Sequence, residues 1–196
     1  MAVADSDYRF IYVNVGSYGK DCDSNIFKNS PLWTRIKNGN IGIPEAKCLH
    51  GTTSPAVPYF LVGDEAFALD KHLLRPFGGH NLTTKQRIFN YRLSRARRYI
   101  ECAFGILSNK WRIFHRPINL DTDFATDIVK ACVVLHNFVR LRDGYDFGDI
   151  MTINGLEDIA SASQVQRETS GNNLRNVMAD YFVTPAGSVS WQLSKI

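Results

Sequence analysis

The feature that most constrains this chain is the run from Thr83 to Ser108, "TTKQRIFNYRLSRARRYIECAFGILS". Thr83 or Thr84 can cap a helix there, and Ile88, Tyr91, Ala96, Tyr99, Ala103 and Ile106 recur at roughly helical spacing. One long helix is predicted. A second follows in "FATDIVKACVVLHNFVRLRDG", with Asp121 or Thr122 as its cap. This second helix is apolar on much of its surface and is expected to be buried. Its His136 reads as a hydrogen-bonded core histidine rather than a ligand, because no second ligand sits four residues away.

The residues before these helices read as strands and turns. Val3 ends one strand, Asp5-Ser6-Asp7 turn the chain, and Arg9 to Val15 are rich in aromatic and β-branched residues, which predicts a hairpin. "DCDSNIFKNSPLWTRIKNG" predicts a short helix capped by Asp23 or Ser24, kinked at Pro31 and stopped at Gly39. Residues 40–58 hold Gly, Pro, Ser and Thr and read as loop. Tyr59 to Val62 predict a buried strand, and Ala66 to Leu74 a helical turn. Beyond the second long helix, 144–170 is polar and poor in pattern, a predicted flexible loop. "LRNVMADYF" predicts a last short helix and "SVSWQL" a docked terminal segment. Strands alternating with helices predict an α/β fold, and the leading hairpin predicts a mixed sheet.

With 196 residues, 44% of them hydrophobic, the chain can bury one substantial core. No apolar run approaches the roughly 20 residues that span a bilayer, and the first residues do not form a signal peptide. An intracellular protein is expected. Cys22, Cys48, Cys102 and Cys132 are scattered and suggest neither a zinc site nor a disulfide framework. The net charge of +4 is unevenly spread: between Lys71 and Arg116 the only acid is Glu101, whereas acids dominate after Arg140. A basic middle segment points to a polyanion partner, with a solvated helix face as the plain alternative. The phosphate-binding glycine loops and the GxSxG nucleophile elbow are absent, which argues against nucleotide-dependent metabolic and hydrolase folds.

Two acids stand out against this background. Asp64 follows the strand Tyr59-Phe60-Leu61-Val62 beyond Gly63, at the strand's carboxyl end, where α/β sheets gather functional groups. Glu101 is the lone acid of the basic helix and shares a face with Asn90, Ser94 and Arg97; a structural ion pair is the plain reading of such a residue. Together the two suit phosphodiester chemistry, in which carboxylates hold two Mg²⁺ ions about 4 Å apart. Mg²⁺ takes oxygen ligands, and the neighbouring arginines would hold the nucleic-acid backbone.

The segments "YFLVGDEAFALDKHLLRPF", "RIFNYRLSRARRYIECAFGILSNKWRIFHRPI" and "VKACVVLHNFVR" resemble the DDE endonuclease domain of Harbinger-type transposases and their domesticated nuclease relatives. "YRFIYVNVGSYGKDCDSNIFKNSPLW" and "SVSWQ" fit the same family. The resemblance implies an RNase H-like fold and Mg²⁺- or Mn²⁺-dependent cleavage of DNA. The cations of the basic helix, Lys85, Arg92, Arg95, Arg97 and Arg98, are the expected nucleic-acid contacts; the resemblance places Asp64 and Glu101 as the catalytic, metal-binding acids. It implies double-stranded DNA as a partner, with a separate Myb-like DNA-binding protein beside it, and the nucleus, with the cytoplasm second, as location. The family's first catalytic Asp precedes the hairpin and has no counterpart here; Asn14 stands where relatives carry Asp, and Asp23 reads as a helix cap. The expectation is an N-terminally truncated domain over 1–143 with an acidic, partly flexible tail over 144–196. An incomplete triad predicts impaired cleavage, an open strand edge favours self-association, and the alternative is a non-catalytic DNA- or protein-binding remnant.

Overall fold

The computed structural model describes residues 1–17, 21–143 and 169–196. Their order is β1 (Ala2–Ala4), β2 (Phe10–Val13), α1 (Asp23–Lys28), α2 (Pro31–Lys37), β3 (Lys47–Cys48), β4 (Ala56–Val57), β5 (Leu61–Val62), β6 (Leu73–Leu74), α3 (Thr84–Lys110), α4 (Thr122–Asp143) and α5 (Thr169–Tyr181). The result is a mixed α/β architecture with three two-stranded sheets. The flexible loop expected over 144–170 lies almost wholly outside the described residues; 169–170 open α5.

The described residues divide into two compact units. The first holds residues 1–30 and 98–143. Here β1 and β2 form the expected antiparallel hairpin, with Ala2 opposite Val13 and a register shift after Val3. The Asp5 carboxylate closes the turn by accepting the N–H groups of Asp7 and Arg9, both at 2.9 Å. Phe10, Ala103, Leu107, Cys132 and Val133 form the buried core. Asn137 on α4 fixes the hairpin: its Oδ1 accepts the Phe10 N–H at 2.9 Å and its Nδ2 donates to the Phe10 carbonyl at 2.8 Å. His136, 1% exposed, bonds the Tyr8 carbonyl at 2.7 Å. It is the satisfied core histidine that its isolation in the sequence predicts, and burial holds its basicity below the ordinary value.

The second unit holds residues 31–97 and 169–196. Its core joins Val57, Leu69, Leu74, Phe77, Phe89 and Leu93 to Leu174, Met178 and Ala179 of α5. Residues 169–181 therefore supply a helix to a core, and the segment after it docks through Gln192, whose Nε2 donates to the Phe182 carbonyl at 2.8 Å. Strands β5 and β6 pair in parallel, Leu61 opposite Leu73.

Local expectations differ from the structure in several places. The single kinked helix predicted around Pro31 is two helices, with Pro31 at the first position of α2, where its missing N–H costs nothing. Asp23 is not the cap of α1: Cys22 occupies that position without a side-chain capping bond, and Asp23 begins the helix. The strand predicted from Tyr59 shortens to Leu61–Val62, and the helical turn predicted over Ala66 to Leu74 ends in strand β6. The loop 40–58 contains the paired β3 and β4.

Candidate metal centre and nucleic-acid interface

Asp64 sits on a turn that β5 launches. Gly63 continues the strand ladder by donating its N–H to the Leu74 carbonyl at 2.9 Å. A Cβ at Gly63 would lie 2.9 Å from the Phe67 ring, so only glycine lets the chain fold back this tightly. The Asp64 carboxylate then accepts the Ala66 N–H through Oδ1 at 2.9 Å, and its carbonyl accepts the Phe67 N–H at 3.3 Å. Arg75, directly after β6, clamps the same turn: Nη1 donates to the carbonyls of Glu65, at 2.8 Å, and Phe67, at 3.3 Å. The side chain of Asp64 is half-buried, and Oδ2 bonds no described group.

Asp70, six residues on, makes the opposite case. It is 3% exposed, its Oδ2 takes the Lys37 ammonium at 2.7 Å and its Oδ1 the His72 N–H at 2.9 Å. A buried carboxylate with a cation and a backbone donor is a structural pair. Asp70 closes the turn and Asp64 presents an acid from it.

A second arginine stands near Arg75. Arg175 of α5 donates to the Pro76 carbonyl at 2.9 Å and lies over the Phe77 ring, 4.1 Å to the centroid. Burial, and then the neighbouring Arg75 charge, push its basicity down to about 10, still well above neutral pH. Asn90 of α3 holds the chain after β6 from both sides, accepting the Phe77 N–H at 2.7 Å and donating to its carbonyl at 2.9 Å. Its amide is therefore spent on structure. Sequence reasoning assigned no role to Arg75, Arg175 or the Asn90 clamp; an arginine placed immediately after an apolar strand pair was the available signal for the first.

Glu101 lies in the first unit, half-buried on the C-terminal part of α3. Next to it, burial and then the Glu101 charge raise the Cys102 thiol above its ordinary pKa, which keeps that sulfur protonated at neutral pH. Tyr99 stacks on Tyr8 with ring centroids 5.1 Å apart. Among the described residues no group of three or more His, Cys, Asp or Glu stands close enough to hold a metal ion.

The basic residues of α3 meet different fates. Lys85 pairs with Asp180 at 2.6 Å. Arg92 is half-buried over the Phe182 ring at 3.9 Å and donates to the Gly187 carbonyl at 2.5 Å. Gly187 is buried where a Cβ would lie 2.2 Å from the Tyr181 carbonyl oxygen. Arg95 lies over Trp191, 4.4 Å to the ring centroid. Residues 180–191 thus engage three of the five cations that the sequence marks for nucleic acid. Arg97 is half-buried and Arg98 exposed.

Residues 1–137 match a family described as DDE superfamily endonuclease. The chain is 31% identical over 144 residues to the protein ALP1-like of Arabidopsis thaliana, an alignment covering 70% of this chain and 34% of that protein. The chain thus spans about a third of this relative's length, and no solved structure matches it. No helix among the described residues is long and apolar enough to cross a membrane. The family match runs unbroken through both the Asp64 turn and the Glu101 helix, and on that extent the chain belongs to the DDE superfamily of endonucleases.

Proposed function

We propose that this chain carries the acids of a transposase-derived, metal-dependent DNA endonuclease with an RNase H-like ancestry, and that Asp64 and Glu101 are its metal-binding residues. The observation that carries the reading is the contrast between two neighbouring acids: Asp70 is buried and paired, whereas Asp64 is held out on a clamped turn with one oxygen unengaged among described groups. The donor set fits Mg²⁺ or Mn²⁺ in kind, since both ions favour carboxylate oxygen. It falls short in number, because the described acids form no group of three. When bound, such an ion supplies Lewis acidity for an attacking water and a departing oxygen.

The chain's own residues do the remainder. Gly63 and Arg75 fix the backbone that aims Asp64. Arg97 and Arg98, with Lys85, Arg92 and Arg95 where the C-terminal segment yields them, hold the phosphate backbone of double-stranded DNA. Sequence selection would come from a separate Myb-like partner, in the nucleus. With no group of three acids among the described residues, slow cleavage is expected. The test is nicking of supercoiled plasmid with Mg²⁺ or Mn²⁺. Nicking lost in both Asp64→Ala and Glu101→Ala is expected; nicking that survives both removes the assignment.

The second reading is a non-catalytic DNA-binding remnant, favoured by the lack of a three-acid group among the described residues. It predicts salt-sensitive DNA binding without nicking. Charge reversal at Arg95 and Arg98 weakens binding under both readings; unchanged binding means the basic face is only solvated.

A further inference from the structure

Helix α4 has two apolar faces, and among the described residues only one is packed. Cys132, Val133 and His136 point into the first unit's core. On the other side Val134 is 67% exposed, Leu135 47%, Phe138 55% and Leu141 71%. With Phe124 and Ala131, also exposed, these positions fall within about 120° of the helical wheel at 100° per residue. A continuous exposed apolar stripe of this kind marks an interaction surface.

The order of residues along the stripe identifies the occupant. Its polar members are Asp123, at the same wheel angle as Leu141, and Asp127 and Arg142, the last two of which lie at equal distances from a midpoint between Val134 and Leu135. An identical helix laid antiparallel about that midpoint sets Asp127 against Arg142 at both ends. The same operation sets Ala131 against Phe138, a small residue against a large one, and Val134 against Leu135. These pairs set opposite charges, a small against a large residue, and two apolar residues against each other, which suits a two-fold interface. Among the described residues Asp127 pairs with Lys130, at 3.5 Å, and Arg142 with its neighbour Asp143 and the Phe138 ring, at 5.6 Å to the centroid. Such exposed local pairs contribute little and exchange readily.

We propose that α4 is a self-association surface: two copies of this chain pair antiparallel through Ala131, Val134, Leu135 and Phe138, with Asp127 and Arg142 of opposite copies closing each end. The interface does not depend on the strand edges of the small sheets or on nuclease activity.

Sedimentation of the full 196-residue chain across a concentration series tests it. A monomer–dimer equilibrium is expected. Phe138→Asp or Leu135→Asp weakens it at least about tenfold, equivalent to about 1.4 kcal/mol, with an unchanged circular dichroism spectrum, since both side chains are exposed. Asp127→Arg and Arg142→Asp each weaken it, and the double exchange restores it, which fixes the antiparallel register. A monomer at every concentration overturns the proposal. So does a dimer indifferent to Phe138→Asp, or an exchange variant that fails to recover.

Discussion

At the scale of single residues, the two acids of the β5–β6 turn separate support from presentation. Asp70 combines near-complete burial with a lysine and a backbone donor, so its removal takes a carboxylate partner from Lys37 and from the His72 N–H. Asp70→Ala is expected to cost about 2–3 kcal/mol, less than a fully buried pair because Lys37 is 43% exposed. Asp64→Ala loses one turn bond and is expected to cost less than about 1 kcal/mol. Urea denaturation of both variants checks this; equal losses would mean that Asp64 is structural as well. His136 sets a pH dependence of the opposite kind from a carboxylate. Burial depresses its folded-state pKa below the ordinary 6.5, with the neighbouring Arg140 charge adding to the effect. The unfolded chain therefore binds a proton that the folded chain refuses, and stability is full above pH 6.5 and falls as pH drops through it. The Tm of the wild-type chain is expected to decline between about pH 6.5 and 5, and that of His136→Gln to be flatter over the same window. An equally steep decline in the variant would place the titration elsewhere.

At the scale of elements, the long helices were legible because their ends are written in side chains. Gln86 Oε1 accepts the Thr83 N–H at 2.9 Å and the Thr83 hydroxyl at 3.0 Å, a capping box that begins α3 where the threonines predict it. Asp121 Oδ1 accepts the Asp123 N–H at 3.0 Å and so begins α4. The strands β3 to β6 were poorly legible because two residues hold no period; their pairing depends on partners distant in sequence. The polarity of α4 misled for a related reason: apolar content signals burial, but periodicity does not say whether a second face has a neighbour. The role of the C-terminal segment was legible only in outline. "SVSWQL" reads as docked, yet nothing in the residue order says that its tryptophan lies over Arg95. Such a cation–π contact contributes about 0.5–1 kcal/mol at an exposed site. Trp191→Ala is accordingly expected to cost little stability and to tighten DNA binding by releasing Arg95. Weaker binding by this variant would show instead that Trp191 itself contacts the nucleic acid.

For the whole molecule, neither the division into two units nor the fate of the basic helix could be read from composition. Both cores draw on α3, which supplies Phe89 and Leu93 to one and Ala103 and Leu107 to the other, so a single helical period conceals two packing environments. Charge behaves in the same way. The net +4 is too small to drive DNA binding by itself, and what matters is which cations remain able to meet phosphate. Five contacts from Lys85, Arg92, Arg95, Arg97 and Arg98 would give a slope of about −4.5 in log K against log salt, at about −0.9 per phosphate neutralised. Lys85, Arg92 and Arg95 are held by Asp180, Gly187 with Phe182, and Trp191. The wild-type slope is therefore expected to be shallower than about −4.5. Asp180→Asn, which releases Lys85 without disturbing the core since Asp180 is exposed, should steepen the slope by about 1. Fluorescence anisotropy with a short duplex between low and moderate salt measures both. A wild-type slope already at −4.5, unchanged by Asp180→Asn, would mean that DNA displaces residues 180–191 without resistance and that their contacts with α3 do not limit the interface.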